Sequence, residues 1–289
     1  MRNFDELSIT DAVRERVKHA ANPRVRQISD ALVRHLHDFV REIEPTQEEW
    51  SWAIDFLTRT GHMCDQHRQE FILLSDALGL SMLVDTINHR LPGGATETTV
   101  LGPFYVQDPP ETPLGGNISP GLEGKPLFVS GSVRAANGGP LVDATVDVWH
   151  SDGDGYYDVQ QLDDDHGLAM RARLRTDKDG QFHFWTIMPA AYPIPNDGPV
   201  GQMLDAQGRH PFRPAHVHFM IGAEGFEQLV THVFVDGDQY LDSDVVFGVK
   251  DSLIRPFEGK PAGIAPDGTD KHEPYFHLHY DFALAPQKG

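Results

Sequence analysis

Cysteine is almost missing from this chain. Only Cys64 occurs in 289 residues, so no disulfide can close within it. That excludes a disulfide-stapled secreted scaffold and points to a reducing, intracellular setting. Basic residues are scarce as well: 24 Lys and Arg stand against 43 Asp and Glu, a formal net charge of −19. Nucleic acid calls for a basic face, and an anionic membrane surface attracts one; neither partner is expected. Long apolar runs are also absent, and none approaches the length of a membrane span. The start, Met1-Arg2-Asn3-Phe4-Asp5-Glu6, lacks the apolar core of a signal peptide. The expectation is a cytoplasmic protein. Hydrophobic content of 39% and charged content of 23% suit a soluble globular chain with one large domain or two smaller ones.

What is present falls into two parts. Residues 8 to 90 read as helices. Pro23 opens one at its first turn, and Val25, Ile28, Leu32, Leu36, Phe39 and Ile43 follow at three- and four-residue spacing. Thr46 precedes Glu49 by three, a capping-box pattern, and Trp50, Ala53, Phe56 and Leu57 give the next helix its apolar stripe. A further helical stretch runs through Phe71, Leu74, Leu78, Met82 and Leu83, with Gly79 a candidate break. Nothing in these helices demands chemistry; packing on each other or on a second subunit accounts for them.

At Leu91-Pro92-Gly93-Gly94 the composition shifts to frequent Gly and Pro with short β-rich runs. Strands are expected at 127–133, 144–150, 181–188, 215–222 and 228–235, separated by turn clusters such as Asn137-Gly138-Gly139-Pro140. The predicted class is α+β: an all-helical N-terminal region, residues 1–95, then an antiparallel β-sandwich, residues 96–289.

The chemistry gathers in that second part. In Arg213-Pro214-Ala215-His216-Val217-His218, two histidines stand two apart in an apolar stretch. Positions i and i+2 of a strand share a face, so His216 and His218 form a ready metal chelate. With 16 histidines in the chain, a chance pair on a half-buried strand is the plain alternative. Two further strand ends carry tyrosines into loops: Trp149-His150-Ser151-Asp152-Gly153-Asp154-Gly155-Tyr156-Tyr157-Asp158 and Met188-Pro189-Ala190-Ala191-Tyr192-Pro193.

These stretches resemble the intradiol ring-cleaving dioxygenases, non-haem iron(III) enzymes that open catechols between the two hydroxyls. The likeness covers nearly the whole chain, including Leu101-Gly102-Pro103-Phe104-Tyr105. It implies one iron(III) per subunit, held by Tyr157, Tyr192, His216 and His218. Tyr156 is the neighbour that could be mistaken for the first ligand; its family spacing from Trp149-His150 favours Tyr157. Two tyrosinates suit the trivalent ion, whose charge removes a phenolic proton that otherwise leaves near pH 10. The resemblance further implies that the substrate chelates iron as a dianion, that Tyr157 leaves the metal and helps take up a proton, and that O2 attacks the substrate ring. Arg213 matches the family arginine that stabilises charge developing on the ring; the alternative for it is a surface ion pair.

Within the family, the helical leader argues against protocatechuate enzymes. Thr99–Phe104, Tyr157-Asp158-Val159-Gln160, Thr231-His232-Val233-Phe234 and Asp242–Val249 are most similar to the branch that cleaves hydroxyquinol (benzene-1,2,4-triol) to 3-hydroxy-cis,cis-muconate or maleylacetate. Chlorocatechol enzymes share the Thr-His and Phe-Gly-Val features, so a chlorocatechol or catechol 1,2-dioxygenase remains the alternative. The implied pocket wall is Leu73, Asp76, Val100, Leu101, Gly102, Pro103, Phe104, Ile194, Pro195, Arg213 and Val246. Asp76 could accept a hydrogen bond from the third hydroxyl; equally it could be a helix N-cap or a solvent-facing charge. A homodimer through the N-terminal helices, with a phospholipid at that interface, is implied as well. Two rivals lie outside the family. A non-catalytic β-sandwich module would bind no iron. A zinc hydrolase would need a carboxylate that the motif lacks.

Overall fold

The computed structural model describes residues 3–65, 68–90, 93–160 and 167–287. Leu91 and Pro92, where the composition changes, lie outside the described residues. The chain forms two compact units, one up to Arg59 and one from Thr60 onward.

In the first unit, α1 (Ile9–Val17) packs on α2 (Pro23–Ile43). Arg14 reaches Asp30 at 2.6 Å, and Thr10 meets His37 at 2.9 Å. Asn22 caps α2 by accepting from the backbone of Arg24 and Val25, with Pro23 at the first turn. The capping box opens α3 (Gln47–His62). The Thr46 N–H donates to Glu49 at 2.7 Å, and the Glu49 N–H donates to Thr46 at 3.2 Å. The apolar stripe of α2 is real but uncovered: Val25, Ile28, Leu32, Leu36, Phe39 and Ile43 are each about half exposed, and no α2 residue is buried.

The second unit opens with α4 (Glu70–Ala77) and α5 (Leu80–Asn88). Gly79 separates them at φ +73°, a left-handed turn that suits glycine. The strands then follow: β1 (Pro126–Ala135), β2 (Thr145–His150), β3 (Arg171–Arg175), β4 (Gln181–Ile187) and β5 (Tyr192–Pro193). After α6 (Pro199–Ala206) come β6 (Phe212–Arg213), β7 (His216–Gly222), β8 (Leu229–Val235), β9 (Ile254–Arg255) and β10 (Glu258–Lys260). A short hairpin, β11 (Gly263–Ile264) and β12 (Asp270–Lys271), precedes β13 (Tyr275–His279) and β14 (Phe282–Leu284). The five expected strands appear within two residues of their predicted ends.

Two five-stranded sheets face each other. The first runs β3-β2-β7-β8-β9; the second has β1 at its centre, with β4 on one side, β13 and β14 along the other, and β10 beyond β13. Most pairs are antiparallel, but β1 runs parallel to β13 and β14, and β9 parallel to β8. β13 and β14 follow one another along the same edge of β1 in a single register. Where they meet, Gly131 gives room, since an added Cβ would run into the Tyr280 carbonyl.

Alternation sets the faces. Val217, Phe219 and Ile221 of β7 point inward to meet Val146, Val148, Phe182, Phe184 and Leu278 in the core. His216, His218 and Met220 consequently point outward. His150 links the sheets at one end, its Nε2 2.7 Å from the Thr186 hydroxyl on β4. Among the described residues no helix is long and apolar enough to cross a membrane.

Candidate metal centre

The outward face of the first sheet is not solvent-exposed. Register places Trp149 of β2, His218 of β7 and His232 of β8 in one row, with His216 opposite Phe234 in the next. Loops close over them, leaving His216 and His218 each 1% exposed and His232 fully buried. His218 lies between two rings: Trp149 stacks on it at 4.6 Å and 14°, and His232 sits 4.1 Å away.

The loop after β2 brings Tyr157 onto this face. Tyr157 is fully buried, while Tyr156 is 51% exposed. Its position is locked by neighbours on both sides. The Gln160 side-chain oxygen accepts from the Tyr157 N–H at 2.8 Å, and Asp158 forms a buried ion pair with Arg171. Arg171 also donates to the Phe104 carbonyl at 3.0 Å, tying in the second loop. Phe104 stacks on Tyr157 at 4.3 Å. Tyr192 arrives on β5, which pairs with β6 so that Tyr192 stands opposite Arg213. Its ring is 5.2 Å from Tyr157 and 5.6 Å from His216.

Four candidate donors therefore converge. Tyr157 Oη is 3.0 Å from His218 Nε2, which is 3.1 Å from His216 Nε2. The Tyr157 and Tyr192 side chains are themselves hydrogen-bonded. His216 Nδ1 is 2.7 Å from the Pro214 carbonyl. A carbonyl can only accept, so the proton sits on Nδ1 and the Nε2 lone pair faces the cluster. Burial pushes the Tyr157 phenol well above its ordinary range, and Tyr192 adds to this. Burial likewise drives His216 and His218 well below theirs, with Arg213 adding to the shift at His216 and His232 to that at His218. The cluster thus holds neutral imidazoles, already in the form that ligates a metal, and a phenol whose proton must leave when a cation arrives.

His216, His218 and His232 also form a three-histidine group. The third differs from the other two. His232 Nδ1 bonds the Thr99 hydroxyl and its Nε2 lies 3.5 Å from Arg213, so both of its nitrogens have protein partners. No hydrogen-bond partner among the described residues reaches His218 Nδ1.

Arg213 is 2% exposed, and Asp244 meets it at 3.2 Å and 3.5 Å. Burial opposes the guanidinium's charge, yet Asp244, with the two tyrosines, holds its pKa above the usual value. A surface ion pair is therefore not its setting. Arg213 also lies 3.4 Å from His216 Nε2.

Asp76 is neither a helix N-cap nor a solvent-facing charge. It sits near the C-terminal end of α4, 6% exposed, and takes a hydrogen bond from Ser81. Burial raises its pKa, against the pull of Arg213. Leu73, Ile194 and Val246 join one apolar cluster, with Val100 packed against it. At Gly102, φ is +76° and a Cβ would stand 3.2 Å from the His218 ring. Leu101 and Pro103 are exposed and Pro195 half-buried, outside that cluster. Asp244, His232, Thr99 and the Asp158–Arg171 pair carry no role in the sequence reading; each works through a contact distant in the chain.

Comparison with known proteins fits this geometry. The family described as "Dioxygenase" matches residues 101–286, and "Catechol dioxygenase N terminus" matches 22–96. The chain is 50% identical to the 6-chlorohydroxyquinol 1,2-dioxygenase of Cupriavidus pinatubonensis, covering 99% of each. It is 48% identical to the hydroxyquinol 1,2-dioxygenase of Nocardioides simplex, covering 97% of this chain and 96% of that one. The crystal structure of hydroxyquinol 1,2-dioxygenase from Pseudomonas putida DLL-E4 superposes with a TM-score of 0.92 at 49% identity, over 98% of this chain and 99% of that one.

Proposed function

The chain belongs to the intradiol ring-cleavage dioxygenase family, and from that premise we propose that it opens hydroxyquinol with O2 between adjacent hydroxylated carbons, giving 3-hydroxy-cis,cis-muconate or its tautomer maleylacetate. The family uses iron; here Tyr157, Tyr192, His216 and His218 hold it as iron(III). The observation that carries this is the buried convergence of Tyr157 Oη and His216 Nε2 on His218 Nε2, at 3.0 and 3.1 Å, beside Tyr192. The donor chemistry fits: two hard phenolic oxygens and two neutral imidazoles favour the trivalent ion, whereas two histidines and a carboxylate suit iron(II). Bound there, iron(III) would supply the Lewis acidity that removes phenolic protons and readies the ring for O2.

The chain's own groups do the rest. Tyr157 Oη takes up a proton from a substrate hydroxyl. Arg213, kept charged by Asp244, faces the negative charge that grows on the ring as it opens. Phe104, Ile194 and Val246 exclude water. Asp76 accepts a hydrogen bond from the third hydroxyl, the group that separates hydroxyquinol from catechol, and a buried acceptor left unpaired would penalise the simpler substrate.

The two family matches, 22–96 and 101–286, support a division into a helical region to residue 95 and a catalytic one from 96. The uncovered stripe of α2 supports a homodimer through the N-terminal helices. The same apolar face would accept a phospholipid. Light scattering and lipid extraction test these two points. A cytoplasmic location accords with the single cysteine and the acidic charge.

Oxygen uptake by iron-loaded protein on hydroxyquinol, 6-chlorohydroxyquinol, catechol and 4-chlorocatechol tests the substrate, with autoxidation subtracted. Preference for either hydroxyquinol supports the reading. Preference for catechol or chlorocatechol would overturn the substrate while keeping the ring cleavage.

A further inference from the structure

A second His-x-His, His277 and His279, lies on β13 of the other sheet. Leu278 between them is fully buried in the core, so both imidazoles face outward. On β1 alongside, Phe128 stands opposite His277 and Ser130 opposite His279. Both imidazoles turn onto one hydroxyl: Ser130 Oγ is 2.9 Å from His277 Nε2 and 3.0 Å from His279 Nδ1. Asp281 Oδ1 lies 3.4 Å from His279 Nε2. Glu258 stands opposite His277 on β10, held by Lys260 at 2.6 Å.

We propose that His277 Nε2 and His279 Nδ1 form a two-imidazole surface site for a borderline divalent transition metal such as copper(II), nickel(II) or zinc(II). Two imidazole nitrogens already point at one spot, the position of the serine hydroxyl. The hydroxyl accepts from one ring and donates to the other, whereas a cation at that spot would take a lone pair from each. Turning Ser130 aside and drawing both rings in by small rotations brings the nitrogens to the roughly 2.0–2.1 Å of a metal–imidazole bond. Imidazole donors select metals of this class, copper(II) most strongly. Burial, then His279 and Lys260, lowers the pKa of His277, which favours the neutral ring that ligates. The buried tyrosine–histidine cluster shares no residue with this site, so a metal here adds to the metal content and leaves turnover unchanged.

The test is copper(II) titration of iron-loaded protein, followed by electron paramagnetic resonance, with the iron visible band as a control. The expected result is one copper per chain with nitrogen coupling from two imidazoles, lost in His277→Ala/His279→Ala and retained in Ser130→Ala. Because His279 is exposed, His279→Asn alone keeps the fold and should lose one nitrogen from the signal. The same copper uptake and spectrum in the double variant, or a native signal without imidazole coupling, would overturn the proposal.

Discussion

The two His-x-His pairs share a spacing and little else. His216 and His218 sit on the outward face of the first sheet, yet loops bearing Tyr157, Tyr192 and Phe104 bury them. His277 and His279 sit on the outward face of the second sheet under no such cover, sharing one serine hydroxyl. The spacing supplies a chelate in both places. What surrounds it decides the metal. Buried phenols beside a charged arginine suit a tightly held trivalent ion, whereas a part-exposed imidazole pair suits an exchangeable divalent one.

The largest effect should come from breaking the buried pair. His218→Ala or Tyr157→Phe should lower activity by at least about 10³-fold, because the metal's contribution to the barrier is lost with its ligands. Metal analysis should show depleted iron in His218→Ala. The same change at His279 should leave turnover within about twofold, the error of ordinary kinetics.

Next comes the charge beside the cluster. Arg213→Met leaves the Asp244 carboxylate buried and unpaired. Stability should fall by about 3–5 kcal/mol in denaturant titration. Activity should fall by about 10²-fold even in protein that still binds iron.

Acid tests a further buried histidine. Burial lowers His150 from about 6.5 to about 4, partly offset by the Ser151 carbonyl and Asp158. Between those values the unfolded chain binds the proton and the folded one does not, so stability falls as pH drops from 6.5 toward 4. The loss is about 3 kcal/mol at the lower end. Urea midpoints at several pH values should show a shallower acid dependence in His150→Gln than in the native protein.

The smallest effect concerns selectivity. Asp76→Asn should reduce the hydroxyquinol-to-catechol ratio of kcat/KM by about tenfold, a hydrogen bond's worth of discrimination. Equal losses on both substrates would assign Asp76 to structure alone.

The sequence disclosed what is local. Alternating apolar residues marked β7 and β8, and Asn22, Pro23, Thr46 and Glu49 marked helix starts that the structure keeps. It hid β3, whose Arg171-Ala172-Arg173-Leu174-Arg175 reads as surface charge. In the fold, Arg171 pairs with buried Asp158, and Arg173 with buried Asp147. It also hid α6, which starts at Pro199 inside a Gly- and Pro-rich stretch. At the site, residue spacing alone pointed to His216 and His218, and family resemblance to the tyrosines. Asp244 reaches Arg213 from 31 positions away and Thr99 reaches His232 from 133, distances no local pattern encodes. The position of Asp76 beside Arg213 likewise became visible only once α4 had folded onto the catalytic unit.

The most direct test of the four-ligand centre is the visible and resonance Raman spectrum of iron-loaded protein. Tyrosinate bound to iron(III) predicts a broad visible charge-transfer band that colours the protein red, with phenolate vibrations, altered in Tyr192→Phe. A colourless protein carrying a full complement of iron would contradict the centre described here.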